Sequence, residues 1–184
     1  MKLILASKSP RRKELLSKAG FEYTIESKNT KEVIDDSLTV YQNVMNVSLE
    51  KALAVFENNK DSVVLGCDTI VVFENKIYGK PKDKEDAFLT LKKLSGNTHK
   101  VISGVAVITP NKRIQYYCES FVTFKKLSDK EILDYIETNE PMDKAGSYAI
   151  QGLGAKLIDH YTGSFNNIVG LPIEEVSKTL KEVL

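Results

Sequence analysis

The chain has 184 residues, with 26 lysines and arginines against 25 aspartates and glutamates, a formal net charge of +1. This near-neutral balance argues against a general nucleic-acid binder, which carries a marked basic excess. No run approaches the roughly 18 apolar residues of a membrane span, the start MKLILASKSPRR does not read as a signal peptide, and two cysteines without ligand spacing suggest a reduced cytoplasmic setting.

The elements alternate. Leu3 to Ala6 reads as a short buried strand. Ser9 and Pro10 then open a helix, serine as N-cap and proline in the first turn, with Leu15, Leu16 and Ala19 inward and Gly20 ending it. Phe21 to Glu26 reads as a strand and Ser27 to Thr39 as a polar loop. Val40 to Asn58 carries Val44, Val47, Ala52, Val55 and Phe56 at helical spacing. Val63 to Phe73 is rich in β-branched residues, which suits either one long strand or a strand pair. A turn at Glu74 to Lys76 follows.

Asp83 caps a helix with Ala87, Phe88, Leu91 and Leu94 inward. Lys100–Ile108 and Arg113–Phe124 form a hairpin around Thr109-Pro110-Asn111. Ser128 and Glu131 make a capping box, with Leu127 and Ile132 at staple positions. Ala155 to Asp159 reads as a strand. Gly163 to Pro172 reads as a polar loop before a last helix with Ile173, Val176, Leu180 and Val183 on one face. Crossover helices mixed with a long hairpin predict an α/β fold of mixed α+β character, a central mixed β-sheet with flanking helices.

Charge is uneven along this neutral chain. Residues 1–20 hold Lys2, Lys8, Arg11, Arg12, Lys13 and Lys18 against Glu14. Residues 22–36 hold Glu22, Glu26, Glu32, Asp35 and Asp36 against Lys28 and Lys31, and residues 76–93 are basic again. Most such charges simply solvate a surface. The sharper reading is a site where cations and carboxylates meet around a polyanion and its metal.

Five segments could carry chemistry, the fifth being the polar loop Gly163 to Pro172 that leads to the last helix. Ser7-Lys8-Ser9-Pro10-Arg11-Arg12 lies at a strand-to-helix turn, where free N–H groups and two arginines suit phosphate. Asp68 interrupts an apolar run, so it is either a satisfied structural carboxylate or a functional acid, base or metal ligand; Gly66 beside it allows a backbone or ligand to approach closely. Lys80 leaves a strand end at Gly79-Lys80-Pro81, and could equally be a phosphate ligand or a solvated loop residue. Gln151, in the glycine-rich segment 143–154, could read a base edge or be an exposed turn amide.

Taken together these motifs are specific. Ser-Pro-Arg-Arg at 9–12, Gly-Cys-Asp-Thr-Ile-Val at 66–71, Gly-Lys-Pro at 79–81, Leu-Ser-Gly-Asn-Thr-His at 94–99, Asp-Lys-Ala-Gly at 143–146, Ile-Gln-Gly at 150–152 and Val-Gly-Leu-Pro at 169–172 resemble, in order and spacing, the Maf family of nucleoside triphosphate pyrophosphatases. The resemblance covers the whole chain. It implies one Maf-like domain over residues 1–184, with two lobes around a cleft, a fold like that of inosine triphosphate pyrophosphatases, and a homodimer. It also implies hydrolysis of the α–β phosphoanhydride bond with a divalent cation, Mg²⁺ or Mn²⁺, and a cellular association with septum formation.

Arg11, Thr69 and Gln151 match the branch that resembles dTTP/UTP pyrophosphatases, and would set substrate choice. The carry-over makes Asp68 the proton acceptor and a metal ligand, and Lys80 a catalytic cation. Ser9, Arg12 and Lys51 would face phosphate. Glu32, or else Asp35 or Asp36, would be the second metal contact. Cys67, Ser147 and Ala149 depart from the family pattern. Cys67 leaves open a thiol-sensitive site, with a buried inert thiol the favoured reading, and Ser147 and Ala149 leave open a narrowed base pocket and the substrate ranking. The alternative readings are the same reaction on a purine or modified nucleotide, and a nucleotide-binding regulator of septum formation, against which the intact Arg11, Asp68, Lys80 and Gln151 set argues.

Overall fold

The computed structural model describes residues 1–184 as six α-helices, seven strands and three short 3₁₀ turns. The strands are β1 (Leu3–Leu5), β2 (Thr24–Ile25), β3 (Val63–Phe73), β4 (Lys76–Tyr78), β5 (Thr98–Ile108), β6 (Arg113–Phe124) and β7 (Ile158–Thr162). The helices are α1 (Pro10–Lys18), α2 (Val40–Phe56), α3 (Lys84–Leu94), α4 (Asp129–Ile136), α5 (Phe165–Val169) and α6 (Ile173–Val183). One sheet runs in the order β2-β1-β3-β5-β6-β7, with β4 added to β3. It is mixed, as expected: β1 is parallel to both β2 and β3, whereas β3–β4 and β6–β7 are antiparallel.

The chain divides into two compact units. The first comprises Met1–Thr69, Ser103–Cys118 and Gly170–Leu184; the second comprises Ile70–Ile102 and Glu119–Val169. In the first, α2 packs on the strands through Ala52 and Val55 against Ile4, Ala6, Val64, Ala106 and Ile108, with Leu49, Leu53 and Phe56 closing the rim. Two glycines permit this contact. A Cβ on Gly66 would sit 2.3 Å from the Ser48 carbonyl, and one on Gly104 would sit 2.4 Å from the Val44 carbonyl. The close approach at Gly66 is therefore made by helix backbone, which settles the choice left open above. Thr39 and Gln42 form a capping box at the start of α2, a signal hidden in the stretch read as loop.

In the second unit, Ala87, Leu91 and Leu94 of α3 are fully buried, as are Ile132 and Ile136 of α4. The Ser128–Glu131 box is formed as expected, and Asp83 caps α3 by accepting from the Asp86 N–H. Glu74 and Asn75, both at positive φ, make the tight turn from β3 to β4.

Four expectations need correction. β2 shrinks to Thr24–Ile25, an edge strand with both residues exposed. The strand expected at Ala155–Asp159 is a 3₁₀ turn over Leu153–Leu157 followed by β7. No residue of β7 is fully buried, so burial periodicity could not reveal it. Part of the polar loop at 163–172 is α5, where Ser164 Oγ accepts from the Asn167 N–H at 3.0 Å. The Ser9 side chain caps nothing, and the Ser9 N–H donates to Ser7 Oγ at 3.2 Å.

Candidate active site

In the first unit, β1 and β3 run side by side and end in different chemistry. The close contact of α2 over Gly66 sets Lys51, between Ser48 and Ala52, above the polar middle of β3. There the Lys51 ammonium donates to Asp68 Oδ1 at 2.6 Å and to Glu32 Oε1 at 2.8 Å. The Asp68 and Lys51 side chains keep only 13% and 17% of their exposure, while Glu32 stands 61% exposed on the loop before α2. Burial works against the ammonium, but Asp68, and after it Glu32, outweigh burial and hold the Lys51 pKa above the ordinary lysine value. Asp35 caps its own turn through Ser37 and anchors Asn43 from its backbone, so it is spent on loop structure. Of the carboxylates weighed in this loop, Glu32 is thus the one that shares a cation with Asp68.

The neighbouring residues form a second cluster. Arg12 donates from Nε to the Gly170 carbonyl at 2.9 Å, from Nη1 to Ser7 Oγ at 3.2 Å, and from Nη2 to Thr69 Oγ1 at 3.2 Å. Thr69 Oγ1 also lies 2.8 Å from Ser103 Oγ, and the buried Cys67 thiol points to the Gly170 carbonyl at 3.6 Å. Gly170 has φ +130°, a conformation closed to most side chains, and so presents its carbonyl to these donors. Arg12 therefore ties α1 to the middle of β3 and to the entry of α6. Arg11, half-buried, precedes it in the first turn of the same helix. Burial raises the Cys67 thiol pKa despite Arg12 nearby, which suits an inert packed thiol.

In the second unit, Lys80 is exposed at the wall of a surface pocket of about 340 Å³, with Tyr78, Lys82, Asp86, Leu89, Thr90 and Lys93 around it. Pro81 is buried and the Gly79 carbonyl accepts from the Gly146 N–H at 3.0 Å, so the turn that carries Lys80 is fixed. Gln151 is exposed at a turn between Ile150 and Gly152. That turn is held by residues the sequence reading missed. Glu140 accepts from the Leu153 N–H at 3.0 Å, the Gly154 N–H at 2.8 Å and the Tyr135 hydroxyl at 2.8 Å. A Cβ on Gly152 would sit 1.9 Å from Glu140 Oε1. Of the nine expected site residues, Ser9, Arg11, Arg12, Glu32, Lys51, Asp68 and Thr69 lie in the first unit, and Lys80 and Gln151 in the second.

The Maf-like protein family matches residues 2–183. The chain belongs to the Maf family. Among its relatives, a dTTP/UTP pyrophosphatase of Bacillus anthracis is 46% identical over 181 residues, covering 98% of this chain and 95% of the relative. One of Bacillus pumilus is 47% identical over 179 residues, covering 97% and 95%. The Ham1 protein of Staphylococcus aureus shares the fold, with a TM-score of 0.51 at 13% identity over 68% of this chain and 73% of that one. That likeness agrees with the fold of the inosine triphosphate pyrophosphatase type expected from the motifs.

Within this Maf chain, the missed residues had weak signals. Glu140 precedes a proline in a charged stretch and looks like any surface acid. Ser103 acts through one hydroxyl, which no motif marks, and Gly170 through one carbonyl. A sequence signal existed only for Gly170, inside the Val-Gly-Leu-Pro motif.

Proposed function

We propose that this chain is a nucleoside triphosphate pyrophosphatase that hydrolyses dTTP and UTP to the monophosphate and pyrophosphate, with Mg²⁺ or Mn²⁺. The observation that carries this reading is the near-complete match, 46% identical over 98% of the chain, to proteins of that named activity. The local chemistry supports it: a half-buried carboxylate, Asp68, shares a cation with Glu32 beside the turn that carries Arg11 and Ser9.

The donor set fits a hard divalent cation. Asp68 and Glu32 offer two carboxylates around one point already held by a positive charge. Mg²⁺ is commonly held by one or two carboxylates, with water and substrate phosphates completing the shell. No group of three or more histidine, cysteine or acidic side chains gathers here, so water and the phosphates would supply the remaining ligands. A bound metal would polarise the phosphate and acidify water.

The chain's own residues do the rest. Asp68, held by Lys51 in the nucleotide-free protein, accepts the proton of the attacking water. Lys51 and Lys80 offset charge on the phosphates. Ser9 offers phosphate a hydroxyl that caps no helix, and Arg11 contacts the nucleotide. Arg12 and Thr69 position the β1–α1 turn, a narrower role than direct phosphate binding or base choice. Gln151 faces the base. The resemblance adds a cytoplasmic homodimer that takes a small nucleotide rather than nucleic acid; no helix is long and apolar enough to cross a membrane, and both cysteines are free.

The test is a panel of triphosphates with Mg²⁺ or Mn²⁺ and separation of the products. Monophosphate plus pyrophosphate from dTTP and UTP is expected. Asp68→Asn should lower kcat by about 10²- to 10⁴-fold, the usual weight of a general base. Release of orthophosphate, or turnover confined to purine nucleotides, would overturn the reading. Light scattering checks the dimer.

A further inference from the structure

Lys51 Nζ stands 2.6 Å from Asp68 Oδ1 and 2.8 Å from Glu32 Oε1. These are the two carboxylates that would hold the metal. An ammonium and a divalent ion at one such point repel strongly, and no third carboxylate, histidine or cysteine is present to offset the added charge. Two carboxylates without any cation are also unfavourable here, since the Asp68 side chain is 13% exposed.

We propose that Lys51 is a resident counter-ion: it holds the metal position in the nucleotide-free protein and yields it when metal and nucleotide arrive together. The yielding ammonium then turns to the phosphates. This rests on the metal-assisted reading above and adds an order to it: the cation enters bound to the triphosphate rather than ahead of it.

The scaffold permits the exchange. The backbone of α2 packs closely on Gly66 through Ser48 and Ala52, so the exchange is left to the side chain. Lysine has a flexible four-carbon stem with its charge at the tip. Rotation of that stem is enough to move the charge. Glu32, on an exposed loop, can follow either cation.

The test uses the full chain without nucleotide and Mn²⁺ alone as the probe, with affinity read by calorimetry or by the spin signal of free Mn²⁺. Wild-type protein should bind weakly. Lys51→Met, which removes the charge and keeps the stem, should bind Mn²⁺ at least about tenfold more tightly, as expected when a like charge leaves the site. Lys51→Arg should remain weak. Lys51→Met combined with Asp68→Asn should lose the gain, which places it at these carboxylates.

Thermal unfolding gives a second readout if Lys51→Met is less stable: Mn²⁺ should raise its Tm more than that of the wild type. Mn²⁺ binding no tighter in Lys51→Met, or a gain that survives Asp68→Asn, would overturn the exchange. Because no nucleotide is present, that result beside a wild-type protein that hydrolyses dTTP rejects the exchange alone. A wild-type protein that hydrolyses no triphosphate rejects the function.

Discussion

Glu140 shows what one side chain does for the segment around Gln151. Its carboxylate takes two backbone N–H groups and a tyrosine hydroxyl. Burial opposes the charge, but the bonds from Tyr135, Gly154 and Leu153 outweigh it and hold its pKa below the ordinary glutamate value. Tyr135 in turn accepts from the Ala149 N–H at 3.2 Å, so both ends of the turn are tied to one pair. Glu140→Gln keeps the shape but places an amide N–H₂ against donors. Hydrogen bonds to charged groups contribute about 2 kcal/mol, so a loss of that order is expected in urea unfolding. If Gln151 reads the base, KM for dTTP should rise several-fold with a smaller change in kcat. An unchanged KM in a destabilised variant would show that the turn does not face substrate.

At the scale of elements, the decisive contact is α2 over β3 and β5. It needs Gly66 and Gly104, because a Cβ at either would press into helix carbonyls at 2.3 and 2.4 Å. Backbone cannot yield as a side-chain tip can. Gly66→Ala should therefore cost about 3 kcal/mol of stability by overpacking, and should cut activity further by shifting Lys51 from Asp68. Gly79→Ala is the control, since nothing lies within 4 Å of its added Cβ; similar losses in the two would refute the packing argument. This contact also explains how far the sequence could be read. Buried elements with strong periodicity, such as α2, α3, β3 and the β5–β6 hairpin, were legible because burial imposes a pattern. The edge strands β2 and β7 were not, because exposure imposes none. Asp68, Lys80 and Gln151 stood out as motif residues. The Lys51–Glu32 bridge was only partly legible, since it joins positions 19 residues apart through a loop without periodicity. Glu140 was invisible because its role lies in the backbone groups it gathers.

At the scale of the whole molecule, stability should depend on pH through a buried histidine. His99 is 1% exposed, packed edge-on to Phe124 and Tyr148 with ring centroids at 5.1 and 5.3 Å. Its Nε2 lies 2.8 Å from the Tyr148 hydroxyl, and no partner meets Nδ1. Burial pushes its pKa down from 6.5 to about 4. The unfolded chain therefore takes up a proton near pH 6.5 that the folded chain refuses until near pH 4. The contribution is fully present above 6.5 and is lost as pH falls through that window. Between about pH 7 and about pH 5 the loss amounts to about 2 kcal/mol by linkage. Glu140, with its lowered pKa, adds its own loss at still lower pH, again because the folded form resists protonation. Urea unfolding at the two pH values measures the first effect, and His99→Gln should flatten it while keeping a polar group near Tyr148. An equal drop in stability in His99→Gln would assign the pH dependence to other groups. A wild-type His99 ring that shows its NMR titration near the unperturbed value would refute the buried neutral state directly.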